Sequence, residues 1–179
     1  RLDAFEQIAK KYGVSKPVKG FLSSAPQPLH QMGALFIPTP NYHKQAWQRL
    51  HFGMESYSLC GLTHTISSPA VMDGMFNLRV SPQAEWDAII CTSQAVHSAM
   101  QYLFETVDDF LSHRFGAVPP RPQLPVVPLG IHAKDFCRKP EIRHSFRQEM
   151  GGTEDDIVVS TVARLSPYSK FDPLPLFIA

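Results

Sequence analysis

Apolar residues recur along the chain with two different periods, one typical of helices and one typical of strands. Apolar positions three and four residues apart predict helices over 2–12, 41–52, 70–78, 94–114 and 140–150. Short apolar runs predict strands over 33–37, 57–63, 86–92, 125–129 and 157–163. Because strands and helices alternate, the pattern favours an α/β fold with a mostly parallel sheet and flanking helices.

The segment 94–114 carries the clearest helical pattern in the chain. Ser93 precedes it as an N-cap residue, and Gly116 follows it as a C-terminal stop. In the shorter helices we expect the apolar residues to face the core, namely Ala46, Trp47 and Leu50 in 41–52, and Ile142, Phe146 and Met150 in 140–150. The last predicted strand, 157–163, is almost entirely apolar or β-branched, which predicts burial on both faces.

Polar side chains follow two of the predicted strands at the end where α/β sheets bind ligands. His64 and Thr65 follow the strand 57–63, while Thr92 ends the strand 86–92 and Ser93 follows it. One interpretation is that hydroxyls of the first loop cap the next helix while backbone satisfies the His64 ring. The other is that His64 contacts a sugar or a phosphate. A Ser/His hydrolase is disfavoured, because the chain has no G-x-S-x-G turn.

Two cations follow the last predicted strand. Arg164 offers a planar fork and Lys170 a point charge, a combination that suits a diphosphate. The alternative is a solvated loop that happens to carry two cations.

Several segments together resemble family 4 glycosyltransferases. These segments are the run Gly61–Ser68, the strand and helix start around Thr92 and Ser93, the run 124–132 with Asp135 and Phe136, Arg147, and the passage 163–166. Those enzymes are retaining, act on nucleotide sugars, and have the GT-B fold of two Rossmann-like domains. The resemblance implies that Arg164 and Lys170 bind the donor's phosphates. Ala163 and Phe171 depart from the family, in which many members have Gly near these places.

By this resemblance the protein moves a sugar from a nucleotide-sugar donor to a sugar-containing or small-molecule acceptor. His64 is the best acceptor-side candidate, with Thr65, Thr92 and Ser93 as further cleft residues. The resemblance implies neither a metal nor a cofactor. We expect an acceptor-side Rossmann-like domain over 1–150 and the start of a truncated nucleotide-sugar-binding domain over 151–179. The catalytic carboxylates are expected beyond Ala179, so the chain as given should transfer no sugar.

Composition narrows the remaining choices. The net charge of +1 gives no reason to expect a nucleic acid or an anionic membrane as partner, although membrane association stays open at this point. Three widely spaced cysteines favour a reducing compartment, and we predict a cytoplasmic protein. A nicotinamide-dependent dehydrogenase is disfavoured because no G-x-G-x-x-G follows a strand. A Rossmann-like binding module without transfer activity stays open.

Overall fold

The chain divides into two compact units. The computed structural model describes residues 2–20, 27–66, 68–166 and 171–178. The units are Arg1–Gly130 and Ile131–Ala179. This division falls earlier in the chain than the boundary predicted after residue 150. The assignment of 151–179 to a nucleotide-sugar-binding domain stays a prediction.

A three-stranded parallel sheet forms the centre of the first unit. Its strands are β1 (Ala34–Ile37), β2 (Ser58–Leu62) and β3 (Ala88–Ile90), and they lie side by side in chain order. The connections contain two helices, α2 (His43–Arg49) and α3 (Pro69–Val80). The predicted α/β fold is therefore confirmed as an open parallel sheet flanked by helices, consistent with a Rossmann-like domain.

Two further α-helices belong to this unit, α1 (Leu2–Lys11) and α4 (Gln94–Phe115), and a 3₁₀ turn spans Gln27–Gln31. The predicted ends of α4 are confirmed. The Val96 N–H donates to Ser93 Oγ at 3.2 Å, and Gly116 takes a left-handed φ of 72° that a residue with a Cβ rarely adopts. α4 packs along α3.

A proline-interrupted segment pairs with β3 where a strand over 125–129 was predicted. The Ile89 and Cys91 N–H groups donate to the carbonyls of Gln123 and Pro125 at 2.8 Å. Gln123 and Val127 donate back to the carbonyls of Asp87 and Cys91. Only isolated bridges result, because Pro125 has no N–H to donate.

The core lies between the sheet and its helices. Its fully buried apolar side chains include Tyr42, Ala46, Leu59, Met75, Leu78, Ile89, Met100 and Phe104. The prediction that Trp47 and Leu50 face this core was wrong, since Trp47 is 53% and Leu50 is 44% exposed. Arg49 takes the inward position beside Ala46 instead.

A buried ion pair explains why α2 turns Arg49 inward. The Arg49 guanidinium meets both carboxylate oxygens of Asp87 at 2.6 and 2.7 Å, and neither side chain is exposed. Asp87 also accepts the N–H groups of Leu59 and Ala84. Arg49 donates further to the Tyr57 carbonyl at 3.1 Å. The pair therefore ties α2 to the strands β2 and β3.

A second buried cation joins α3 to α4. Arg79 is fully buried and its Nε donates to Asp108 at 2.7 Å. The same guanidinium donates to the carbonyls of Pro119 and Pro120, and it lies 5.2 Å from the centre of the Phe104 ring. Burial lowers the pKa of Arg79, while the Asp108 carboxylate acts in the opposite direction. This contact holds the chain that follows α4 against α3.

The second unit contains α5 (Pro140–Glu149), α6 (Leu174–Ile178) and a 3₁₀ turn over Ala133–Phe136. The predicted strand 157–163 is wrong, because this segment has no strand pairing and Val162 is 100% exposed. An apolar strand is stable only beside neighbouring strands. Among the described residues of this unit, β-bridges form only where Phe171 meets Leu165 and Ser166.

The apolar side of α5 also differs from its prediction. Ile142, Phe146 and Met150 are 55%, 47% and 67% exposed rather than turned into a core. α5 buries none of its residues. Among the described residues, no helix is both long enough and apolar enough to cross a membrane.

Candidate functional site

All three strands end at one edge of the sheet, because they are parallel. Three loops leave this carboxyl edge, formed by 38–42 after β1, 63–66 after β2 and 92–93 after β3. In open α/β sheets such an edge is the usual place for a ligand. The predicted residues His64, Thr65, Thr92 and Ser93 all lie here.

Thr63 joins the loops that follow β2 and β3. Its side chain is fully buried, and its hydroxyl donates to the Ile90 carbonyl at 3.0 Å. The Thr63 oxygen in turn accepts the Thr92 N–H at 3.1 Å. The two loops are thereby fixed side by side, which brings His64 and Thr92 to the same part of the edge.

His64 is exposed and is not enclosed by the core. Within the described ranges, no backbone group bonds to its ring, so the first interpretation of this loop finds no support there. Ser68 precedes α3, but its hydroxyl makes no capping bond. Ser67 lies outside the described residues. His64 is therefore accessible to a ligand, and Thr65 beside it is half-buried.

Ser93 is the N-cap residue of α4. Its oxygen accepts the Val96 N–H at the first turn of α4, and its carbonyl accepts the His97 N–H at 3.0 Å. Thr92 and Ser93 are both half-buried. Ser93 thus positions the start of α4, whereas Thr92 presents its hydroxyl 3.5 Å from that of Thr63.

Two residues of this edge were missed by the sequence reasoning, Asn41 and His43. Neither Asn41 Oδ1 nor His43 Nδ1 has a hydrogen-bond partner among the described residues, although both atoms are buried. Burial, and secondarily the charge of Lys44, lowers the pKa of His43, so its ring is neutral near pH 7. The signal was available, because both residues follow β1 as His64 follows β2.

Asn41 lies directly against α3. Its amide donates to the Ala70 carbonyl at 3.1 Å, and a Cβ placed on Gly74 would lie 2.0 Å from Asn41 Nδ2. Gly74 therefore has a packing role in the middle of a helix, where glycine otherwise costs stability.

The predicted donor-side residues belong to the second unit. Arg164 is exposed and lies in irregular backbone rather than at the end of a strand. Lys170 lies outside the described residues. Ser166 and Phe171, on either side of the residues 167–170, exchange backbone hydrogen bonds of 3.0 and 3.3 Å. The structure thus brings the acceptor-side candidates together and leaves the pairing of Arg164 with Lys170 a prediction.

The described residues contain no group of three or more His, Cys, Asp or Glu side chains placed to hold a metal ion. The carboxyl edge offers hydroxyls, amides and imidazoles, which recognise hydroxyl groups by hydrogen bonding. No protein-family model, no curated protein and no solved structure matches the chain.

Proposed function

We propose that the protein is a retaining family 4 glycosyltransferase of the GT-B type, with a nucleotide sugar as donor and a sugar-containing or small-molecule acceptor. The observation that supports the proposal is the carboxyl edge of a Rossmann-like parallel sheet, where His64 and Thr65 lie on one loop and Thr92 lies on the adjacent loop. The sequence resemblance supports the assignment to this class of enzyme.

The acceptor would bind along this edge through hydrogen bonds. His64 and Thr65 are accessible, and the neutral ring of His43 supplies another nitrogen. Such a surface suits an uncharged polyol better than an anion. Loops held together by Thr63 limit the reorganisation that binding requires, which favours affinity.

The donor phosphates would be held by Arg164 and Lys170. Their charge would offset the negative charge that develops on the departing nucleotide. A fork and a point charge together can follow both phosphates of a diphosphate. This role needs no metal ion or organic cofactor.

Acceptor binding is tested by saturation-transfer difference NMR with a panel of simple glycosides. The matched variants are His64→Ala and His113→Ala, since His113 is an exposed histidine near the opposite end of α4, about 30 Å along the helix. His64→Ala should weaken the transfer signal, and His113→Ala should leave it unchanged. Equal binding by both variants would remove His64 from the acceptor site.

Donor binding is tested by calorimetry with nucleoside diphosphates. Arg164→Ala should weaken binding by roughly 1.5–3 kcal/mol, or about 10- to 150-fold, because it removes a charge-assisted hydrogen bond. Arg114→Ala, at an exposed arginine in the last turn of α4, is the control. Unchanged affinity in Arg164→Ala would contradict the donor assignment.

A binding module without transfer activity is the second candidate function. It is favoured by the absence of a strand over 157–163, since Arg164 then has no sheet to fix its position. Assay of the full-length polypeptide with donor and acceptor together separates the two functions. An enzyme yields a glycoside that keeps the donor's anomeric configuration, whereas a module binds its ligands and yields no product.

A further inference from the structure

An exposed tryptophan on α2 lacks a packing explanation. Trp47 is 53% exposed, although the inward face of the same helix buries Ala46 and Arg49 completely. An exposed indole combines an apolar ring with a polar N–H, and tryptophan is enriched at binding interfaces for this reason.

Trp47 is one wall of a cavity of about 520 Å³. The other lining residues are Lys44, Gln48, His51 and Phe52. Lys44, Trp47, Gln48 and His51 are spaced by three and four residues, which places them on one face of the helix and its following turn. Hydrogen bonds from the His51 and Phe52 N–H groups to the carbonyls of Gln48 and Arg49 continue that face beyond α2.

The Phe52 wall is braced from behind. Its ring stacks on that of His30, with 5.8 Å between ring centres and 20° between planes. His30 belongs to the 3₁₀ turn that Leu29 anchors in the core, where Leu29 is only 4% exposed. The cavity therefore has a fixed aromatic wall as well as the exposed indole.

The side chains that line the cavity indicate which kind of ligand it can bind. Two aromatic rings, those of Trp47 and Phe52, line the cavity, and nucleic-acid bases commonly stack on such side chains. The described lining holds no carboxylate, and the ammonium of Lys44 supplies a positive charge. Lys44 and His51 lie about 10 Å apart along the helix axis, with Trp47 between them. The ligand thus needs an anionic group at one end and a ring with polar edges at the other.

We propose that this cavity binds a nucleoside monophosphate. The base stacks on Trp47, the phosphate meets Lys44, and Gln48 and His51 bond to polar atoms of the base or ribose. The volume lies within the range of small-molecule sites. None of these lining residues is among the acceptor or donor candidates, so the site goes beyond the proposed glycosyl transfer.

Fluorescence gives a direct test, because the chain has two tryptophans. Trp86→Phe leaves Trp47 as the single indole, and Trp47→Phe leaves Trp86. Adenosine 5′-monophosphate should quench the first variant saturably and leave the second unchanged. Adenosine and ribose 5-phosphate should each bind at least about 5-fold more weakly than the nucleotide, because each lacks one of the two contacts. Absence of saturable quenching at about 10 mM nucleotide would overturn the proposal.

Calorimetry of variants tests which residue contacts the base and which contacts the phosphate. Trp47→Ala should weaken nucleotide binding about 5- to 150-fold, and Trp86→Ala should not. Lys44→Gln should weaken binding of the nucleotide and not of adenosine, whereas Lys16→Gln, at an exposed lysine outside the cavity, should change neither. Equal binding of ribose 5-phosphate and the nucleotide, or equal loss in both lysine variants, would refute the site. Circular dichroism of each variant confirms that the fold is kept.

Discussion

Replacing Asp87 by Asn removes the buried charge that ties α2 to the sheet. Asp87 accepts hydrogen bonds from Arg49 at 2.6 and 2.7 Å, from the Leu59 N–H at 2.8 Å and from the Ala84 N–H at 2.9 Å. Asparagine keeps the size of the side chain but has one acceptor oxygen. Its NH₂ group would then face a donor, and the guanidinium of Arg49 would be left buried without a counter-charge.

The expected loss follows from these contacts. Removing one partner of a buried ion pair costs about 3–5 kcal/mol, because the remaining charge stays desolvated. With a urea slope of about 2 kcal/mol per M for a domain of this size, the unfolding midpoint should fall by roughly 1.5–2.5 M.

Urea denaturation followed by circular dichroism measures the loss. Asp73→Asn, at an exposed aspartate of α3, is the matched control and should stay within about 0.5 kcal/mol of the parent. The double variant Arg49→Met/Asp87→Leu should recover part of the stability, since it removes both charges. A loss below about 1 kcal/mol in Asp87→Asn, with an unchanged slope, would refute the reasoning.

Two other predictions concern the carboxyl edge. Gly74→Ala should lower the free energy of unfolding by about 1–3 kcal/mol, because its Cβ would clash with Asn41 Nδ2. Adding Asn41→Ala to Gly74→Ala should recover part of this loss. Thermal denaturation of the parent, the single variant and the double variant measures both changes, and an unchanged stability of Gly74→Ala would contradict the prediction. Burial lowers the pKa of His43 in the folded protein. As pH falls, His43 is therefore protonated in the unfolded chain before it is protonated in the folded protein. The stability that His43 contributes is present above about pH 6.5 and is lost as pH falls below that value. His43→Gln should therefore flatten the acid side of the stability curve, whereas parallel curves for the two proteins would count against the burial of that ring.

Local signals made part of the fold predictable. The ends of α4 follow from Ser93 and Gly116, because capping and a left-handed φ depend on the residue itself. The strands β1 to β3 follow from short apolar runs, and parallel pairing then brings His64 and Thr92 to one edge. These features depend on neighbours in sequence or on a general rule of sheet topology.

The errors come from features that depend on distant partners. Trp47 has the spacing of a core residue, but Arg49 occupies the inward position because Asp87, far along the chain, neutralises it there. The segment 157–163 has the composition of a buried strand, yet composition alone supplies no neighbouring strand to pair with. Asn41 had a local signal, since it follows β1, but its contact with Gly74 was not predictable because it depends on how α3 packs.

The prolines beside β3 also bear on aggregation. Gln123, Pro125 and Val127 direct their backbone groups towards β3, so Leu124 and Val126 direct theirs the other way, as residues alternate along an extended chain. Pro128 lies on that outer side, is exposed and has no N–H to offer, whereas Pro122 is buried. A second chain approaching the outer side of this segment therefore meets a short run of donors that ends at a proline. The missing backbone donor therefore opposes growth of an intermolecular sheet from this side, a role that charged side chains have at many other sheet edges.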